Sequence, residues 1–131
     1  MPRLLSIDHL VLTVASIEQS VKFYEDVLCM AAEQFRVADG TVRTALKFGN
    51  QKINLHQAGA EFDPKAANPR RGSADICFLT DTPLVDWIAH LVQQDVSIEE
   101  GPIVRTGAVG PIESIYIRDL DGNLIEISNP T

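Results

Sequence analysis

The sequence predicts an α+β fold: two βαβββ modules forming a curved eight-stranded mixed sheet around a metal-binding cavity. Three observations predict it. First, residues 7–14 and 74–79 look like copies of each other. Each is a strand that begins beside a side chain able to bind metal, His9 or Asp75, and each enters a helix behind a small hydroxyl residue, Ser16 or Thr82. Second, each half ends in a strand with polar residues opposite its aliphatic ones, Asn54 and His56 in one and Glu126 in the other. Third, a consistent register relates the halves. A shift of 66 carries His9 onto Asp75, Ser16 onto Thr82 and Val21 onto Trp87, and a shift of 72 carries Ile53-Asn54-Leu55 onto Ile125-Glu126-Ile127. The modules are expected at residues 5–57 and 73–129.

Each element follows from local pattern. In 6–14, Leu10, Leu12 and Val14 alternate with His9, Val11 and Thr13, the period of a strand with one face on a core. Ser16 with Gln19 three residues on is a capping-box signal. Ile17, Val21, Tyr24 and Leu28 then form an apolar stripe, so the helix should end near Leu28. A strand at 31–37 leads to the Asp39-Gly40 turn, and strands at 43–48 and 52–57 follow, with Ile53 and Leu55 inward and Asn54 and His56 outward. Residues 58–73 hold two Pro, two Gly and the Arg70-Arg71 pair, and read as a linker that crosses the molecule or covers a site. The pattern restarts at 75–79. Thr82-Pro83 reads as an N-cap with Pro at the first helical position, and Leu84, Trp87, Ile88 and Leu91 form the second helical stripe. Strands are expected at 97–104 and 114–118, separated by a flexible Gly-containing loop. Asp119-Leu120-Asp121-Gly122-Asn123 is a hairpin turn, because its residues tolerate left-handed backbone. The last strand sets Ile125 and Ile127 against Leu124, Glu126 and Ser128.

The 131 residues are 45% hydrophobic and 22% charged, ordinary for a soluble globular domain. A formal net charge of −7 argues against nucleic acid or an anionic membrane as the main partner. No stretch approaches the roughly 20 apolar residues of a membrane span. The N-terminus lacks a signal-peptide run, so a cytoplasmic location is expected. Cys29 and Cys77 form no framework and read as free thiols packed like small apolar residues.

His9, Asn54, His56, Asp75 and Glu126 each lie opposite the core-facing aliphatics of their strand, so all should point into a shared cavity. Imidazole and carboxylate together suit Zn, Fe, Mn, Ni or Co as a divalent ion. Tyr116 shares that face, as cavity wall or as a hydrogen-bond donor to substrate.

Asp8-His9 before an apolar strand, Phe23-Tyr24 in the first helix and the closing Asp119-Leu120-Asp121-Gly122-Asn123-Leu124-Ile125-Glu126 resemble the vicinal oxygen chelate superfamily of glyoxalases, bleomycin-resistance proteins and extradiol dioxygenases. The strand motif at 51–56 and the Gly72-Ser73-Ala74-Asp75 strand start add a likeness to small proteins of the glyoxalase domain-containing protein 5 type. The resemblance implies a single glyoxalase-like domain over 1–131, a divalent metal ion and a small-molecule substrate bound through two oxygens. It also implies ligands on the first, fourth, fifth and eighth strands. His9 and Glu126 match the first and last. Asp75 stands where histidine is common, as ligand or as a group supporting one. On the fourth strand, register favours Asn54 and ligand chemistry favours His56. The expected metal set is His9, His56, Asp75 and Glu126, with Tyr116 and Asn54 as substrate-binding residues. The reaction would be that of a metal-dependent lyase or dioxygenase; the alternative is a bleomycin-resistance-like protein that binds a small molecule without chemistry. Superfamily members of this size usually pair, so a homodimer is expected.

Overall fold

The computed structural model describes residues 1–131. Its elements run β1 (His9–Val14), α1 (Ile17–Asp26), β2 (Ala31–Arg36), β3 (Val42–Phe48), β4 (Gln51–Gln57), β5 (Asp75–Leu79), α2 (Leu84–Gln93), β6 (Glu100–Thr106), β7 (Pro111–Arg118) and β8 (Leu124–Pro130). The chain divides into two compact units, Met1–Arg71 and Gly72–Thr131. Each is β-α-β-β-β. The eight strands make two four-stranded sheets, ordered β1-β4-β3-β2 and β5-β8-β7-β6. Both sheets are mixed: β1 pairs parallel with β4 and β5 with β8, and the other pairings are antiparallel.

The repeat inferred from sequence is present in the hydrogen-bond register. His9 lies opposite Lys52 in the first unit and Asp75 opposite Leu124 in the second. Lys52 N donates to Asp8 O at 3.3 Å, and Leu124 N donates to Ala74 O at 3.0 Å, the same bond in each copy. Both helices are followed by a non-glycine residue in left-handed conformation, Cys29 at φ 60° and Asp95 at φ 58°, again 66 positions apart. By this register Asn54 is the counterpart of Glu126, and Val11 of Cys77.

The aliphatic face of each sheet is buried. Leu12, Val14, Leu46, Ile53 and Leu55 are sealed in the first unit with Tyr24 of α1. In the second, Ile115, Ile117, Ile125 and Ile127 are sealed with Leu84 and Leu91 of α2. Each such side chain stabilises its unit by about 1.5–3 kcal/mol relative to exposure. The period-two pattern therefore commits the polar residues between them to the other face.

Two local expectations need correction. Thr82 does not cap α2. The cap position is Pro83, without a side-chain bond, and Asn129 of β8 closes the helix instead. Its Oδ1 accepts from Leu84 N at 2.9 Å, while its Nδ2 donates to Thr80 O at 3.0 Å and Thr82 O at 2.9 Å. Ser16 does cap α1, accepting from Gln19 N at 3.2 Å. The loop expected between the sixth and seventh strands is a tight hairpin. Gly107 N donates to Gly110 O at 2.8 Å, and Thr106 pairs with Pro111.

The 119–123 turn is as expected, and it does more than reverse the chain. The Asp119 carboxylate accepts from Asp121 N, Asn123 N and Asn123 Nδ2. Asn123 Oδ1 accepts from Ala74 N at 2.9 Å, which ties the start of β5 to the turn leading into β8.

Candidate ligand and metal site

In the first unit, register places His9, Lys52, Asn54 and His56 on one sheet face, with Val11 opposite Asn54 and Thr13 opposite His56. His9 is exposed, and its Nδ1 lies 2.8 Å from Asp8 Oδ1. A carboxylate there favours a proton on Nδ1, which leaves Nε2 with the lone pair a metal takes. Asn54 Oδ1 is buried without a hydrogen-bond partner, the state of an acceptor that awaits a donor or a cation. His56 is different. It is buried, and its ring meets Phe62 edge-on at 5.3 Å between centroids. Loss of water, and then the Arg43 guanidinium, hold its pKa below the ordinary 6.5. Arg43 itself lies over Phe62, 3.5 Å from the ring centre. His56 sits four residues beyond the level of His9, roughly 13 Å along the strand.

In the second unit, Asp75 and Cys77 of β5, Glu126 and Ser128 of β8, and Ser114 and Tyr116 of β7 share the polar face. Cys77 and Tyr116 flank Glu126 from the two neighbouring strands. Ser114 Oγ donates to Glu126 Oε2 at 2.5 Å, Ser128 Oγ reaches the same oxygen at 3.4 Å, and the two hydroxyls are 2.7 Å apart. Both serines are buried, so they hold the carboxylate in one orientation. Cys77 Sγ lies 3.3 Å from Ser128 Oγ. Loss of water on the sheet face pushes the Cys77 thiol above its usual pKa; the Ser128 bond opposes this and the Glu126 charge adds to it. A pocket of about 590 Å³ opens over this face, with Glu126, Cys77, Tyr116 and Arg105 among its lining.

The donors suit a divalent ion in kind: an oriented imidazole, a carboxamide oxygen without a partner, and carboxylates at Asp75 and Glu126. Their grouping is incomplete within either unit, since no three His, Cys, Asp or Glu side chains come together there. The structure brings His9 and Asn54 onto one face, and Asp75, Tyr116 and Glu126 onto another; His56 shares the His9 face but stands further along it, edge-on to Phe62.

Sequence reasoning missed several neighbours. Cys77 is exposed rather than packed in a core. Its alternation with Ile76 and Phe78 was the available signal. Arg105 falls just beyond the expected strand, and Ser114 and Ser128 fall within expected strands, Ser128 on the Glu126 face, without an assigned role. Phe62 lies in a linker with no periodicity to place it.

No helix is long and apolar enough to cross a membrane. A family model described as the glyoxalase/bleomycin resistance protein/dioxygenase superfamily matches residues 6–127. The chain is 57% identical over 122 residues to virulence protein STM3117 of Salmonella typhimurium, covering 93% of this chain and 82% of that one. It is 50% identical over 124 residues to glyoxalase domain-containing protein RDO1 of Mycosarcoma maydis, covering 95% and 68%. Among solved structures, one from the mobile metagenome of V. Pseudocholerae superposes with a TM-score of 0.94 at 55% identity, covering 100% of this chain and 98% of that one. With paired β-α-β-β-β units and a match over nearly its whole length, the chain belongs to the glyoxalase/bleomycin resistance protein/dioxygenase superfamily.

Proposed function

We propose that the chain is a divalent-metal-dependent enzyme of the glyoxalase or dioxygenase kind, acting on a small substrate that presents two oxygens. The observation that carries this reading is the preparation of two side chains for a cation. Asp8 orients His9, and Ser114 with Ser128 orient Glu126. Such supporting bonds fix ligand direction and typically matter 10–100-fold, about one to two orders of magnitude, in metal affinity. His9 and Glu126 are the principal ligands in this reading, with Asp75 as a further ligand or support. On the fourth strand, imidazole chemistry speaks for His56. Register, the unpartnered Asn54 oxygen and the edge-on packing of His56 against Phe62 speak for Asn54, which we prefer.

A bound ion would act as a Lewis acid toward substrate oxygens. The chain's own groups would orient the substrate: Tyr116 as a hydrogen-bond donor beside Glu126, and the pocket over the second sheet as the space for its body. Asn54 has no proton to exchange near neutral pH, so it cannot serve as a general base.

The second reading is a protein that sequesters a small molecule without chemistry. The aliphatic character of Val109, Ile112 and Pro111 in the pocket wall favours it. Metal content and ligand stabilisation separate the two. Stoichiometric metal lost in His9→Ala supports the enzyme; no metal uptake, with a small molecule stabilising the metal-free protein, supports the binder.

We further propose a cytoplasmic homodimer. Leu4, Leu5 and Ile7 are 99%, 82% and 64% exposed, apolar surface that pairing would cover. Two exposed cysteines that form no disulfide suit a reducing compartment.

A further inference from the structure

The pocket over the second sheet carries a cation that the metal reading leaves unused. Arg105 of β6 is partly buried at its side, and its Nε donates to Tyr116 Oη at 2.9 Å. One terminal nitrogen reaches Glu100 Oε1 at 3.3 Å. The guanidinium carbon stands 5.5 Å from the centre of the Tyr116 ring. These contacts fix the fork and leave its other terminal nitrogen for a ligand. They also set the Tyr116 hydroxyl. With its oxygen accepting from Arg105, its own proton is the group left to donate.

The rest of the pocket is shaped by the β6–β7 hairpin. Gly107 makes the close turn possible: a Cβ there would fall 2.6 Å from Gly110 O and 2.9 Å from Ile112 Cγ2. Val109, Pro111 and Ile112 line the pocket of about 590 Å³ together with the fixed arginine and tyrosine, and Ile112 stands beside Arg105 in the β6–β7 register. That volume lies in the range of small-molecule sites. The polar lining includes Arg105, Tyr116, Cys77 and Glu126. The arginine fork and the Tyr116 hydroxyl donate there, so with the aliphatic residues of the wall they select for an anionic head on an apolar body, seated on Arg105 and clear of the Glu126 carboxylate. A dianion or a sugar would leave charge or hydroxyls unmatched against that wall.

We propose that this pocket takes a small apolar monoanion, a carboxylate on an aromatic or branched aliphatic body, with its oxygens set on Arg105 and Tyr116 and its body against Ile112 and the 107–110 hairpin. This deepens the substrate side of the proposed function, and it rests on residues of the second unit alone. Arg105 is in this account both an anion anchor and the positioning residue for the Tyr116 hydroxyl.

The test uses the full chain stripped of metal with chelator, so that its result is separate from that of the metal reading. Benzoate and its neutral isostere benzamide are titrated by calorimetry into wild type, Arg105→Gln, Arg105→Lys and Tyr116→Phe. Wild type should bind benzoate at least about tenfold more tightly than benzamide, the scale of a charge-assisted bond. Arg105→Gln should abolish that preference. Arg105→Lys should keep a reduced one, since it retains charge but not the fork. Tyr116→Phe should weaken benzoate more than benzamide. The preference ratio, rather than affinity alone, keeps a general loss of fold from imitating the result. Equal binding of the two probes by wild type, or an unchanged preference in Arg105→Gln, would overturn the proposal. Benzoate preference without metal binding would sink the metal reading and leave this one standing.

Discussion

Two residues of β4 pose the sharpest question, because they share a face and differ in every other respect. Asn54 has a buried oxygen with nothing to accept from, and His56 has a ring packed against Phe62. Asn54→Ala removes an unsatisfied acceptor, so the fold should lose almost nothing while metal affinity falls. His56→Ala removes buried ring contacts and should lower stability by about 1–2 kcal/mol with metal retained. Thermal melts and metal content of the two variants check this. The opposite pairing of effects would return the ligand role to His56. The same imidazole sets a pH dependence. Its folded pKa lies below the unfolded 6.5, because burial and Arg43 oppose the charged form. As pH falls, the unfolded chain therefore binds the proton first. The contribution of His56 to stability is whole above about pH 6.5 and is lost as pH falls from there toward the lower folded value. Between pH 7 and 5, the melting temperature of wild type should drop further than that of His56→Gln. Parallel curves would show that His56 does not titrate as described.

Elements were legible wherever their cause was local. Alternation placed Leu12, Val14, Ile53 and Leu55 on the core side of β1 and β4, and the polar residues between them followed. Ser16 was read as a cap because its partner, Gln19 N, is three residues away. Asn129 was not, because its helix begins 45 residues earlier in the chain. Thr82 carried the right chemistry for a cap, and the β8 amide took the place. Asn129→Ala should therefore destabilise the second unit by about 1–2 kcal/mol, the scale of a lost cap with two further bonds, whereas Thr82→Ala should be nearly silent. Denaturant melts of both variants decide this, and equal losses would restore Thr82 to the cap. The site follows the same division. His9, Asn54, Asp75, Tyr116 and Glu126 came from strand period and repeat register. Strand period put Ser128 beside Glu126 on the same face, but the Ser114 hydroxyl that holds Glu126, and the arginine that holds Tyr116, came only from cross-strand pairing, which no local pattern encodes.

At the scale of the whole chain, an internal repeat has kept its backbone and diverged in its chemistry. Position for position, Glu126 answers Asn54 and Asp75 answers His9, while the bonds that start each sheet are the same. The exposed N-terminal leucines and Ile7 predict association: light scattering at micromolar concentration should give twice the chain mass, and a monomer mass would contradict the homodimer. The most direct measurement of the central claim is metal content after purification and reloading with a single divalent ion, read by elemental mass spectrometry on wild type, His9→Ala and Glu126→Gln. The account predicts roughly one ion per chain in wild type and about a tenth of that or less in either variant, with folding retained by circular dichroism. Wild type that takes up no ion, or variants that hold it as well as wild type does, would contradict it.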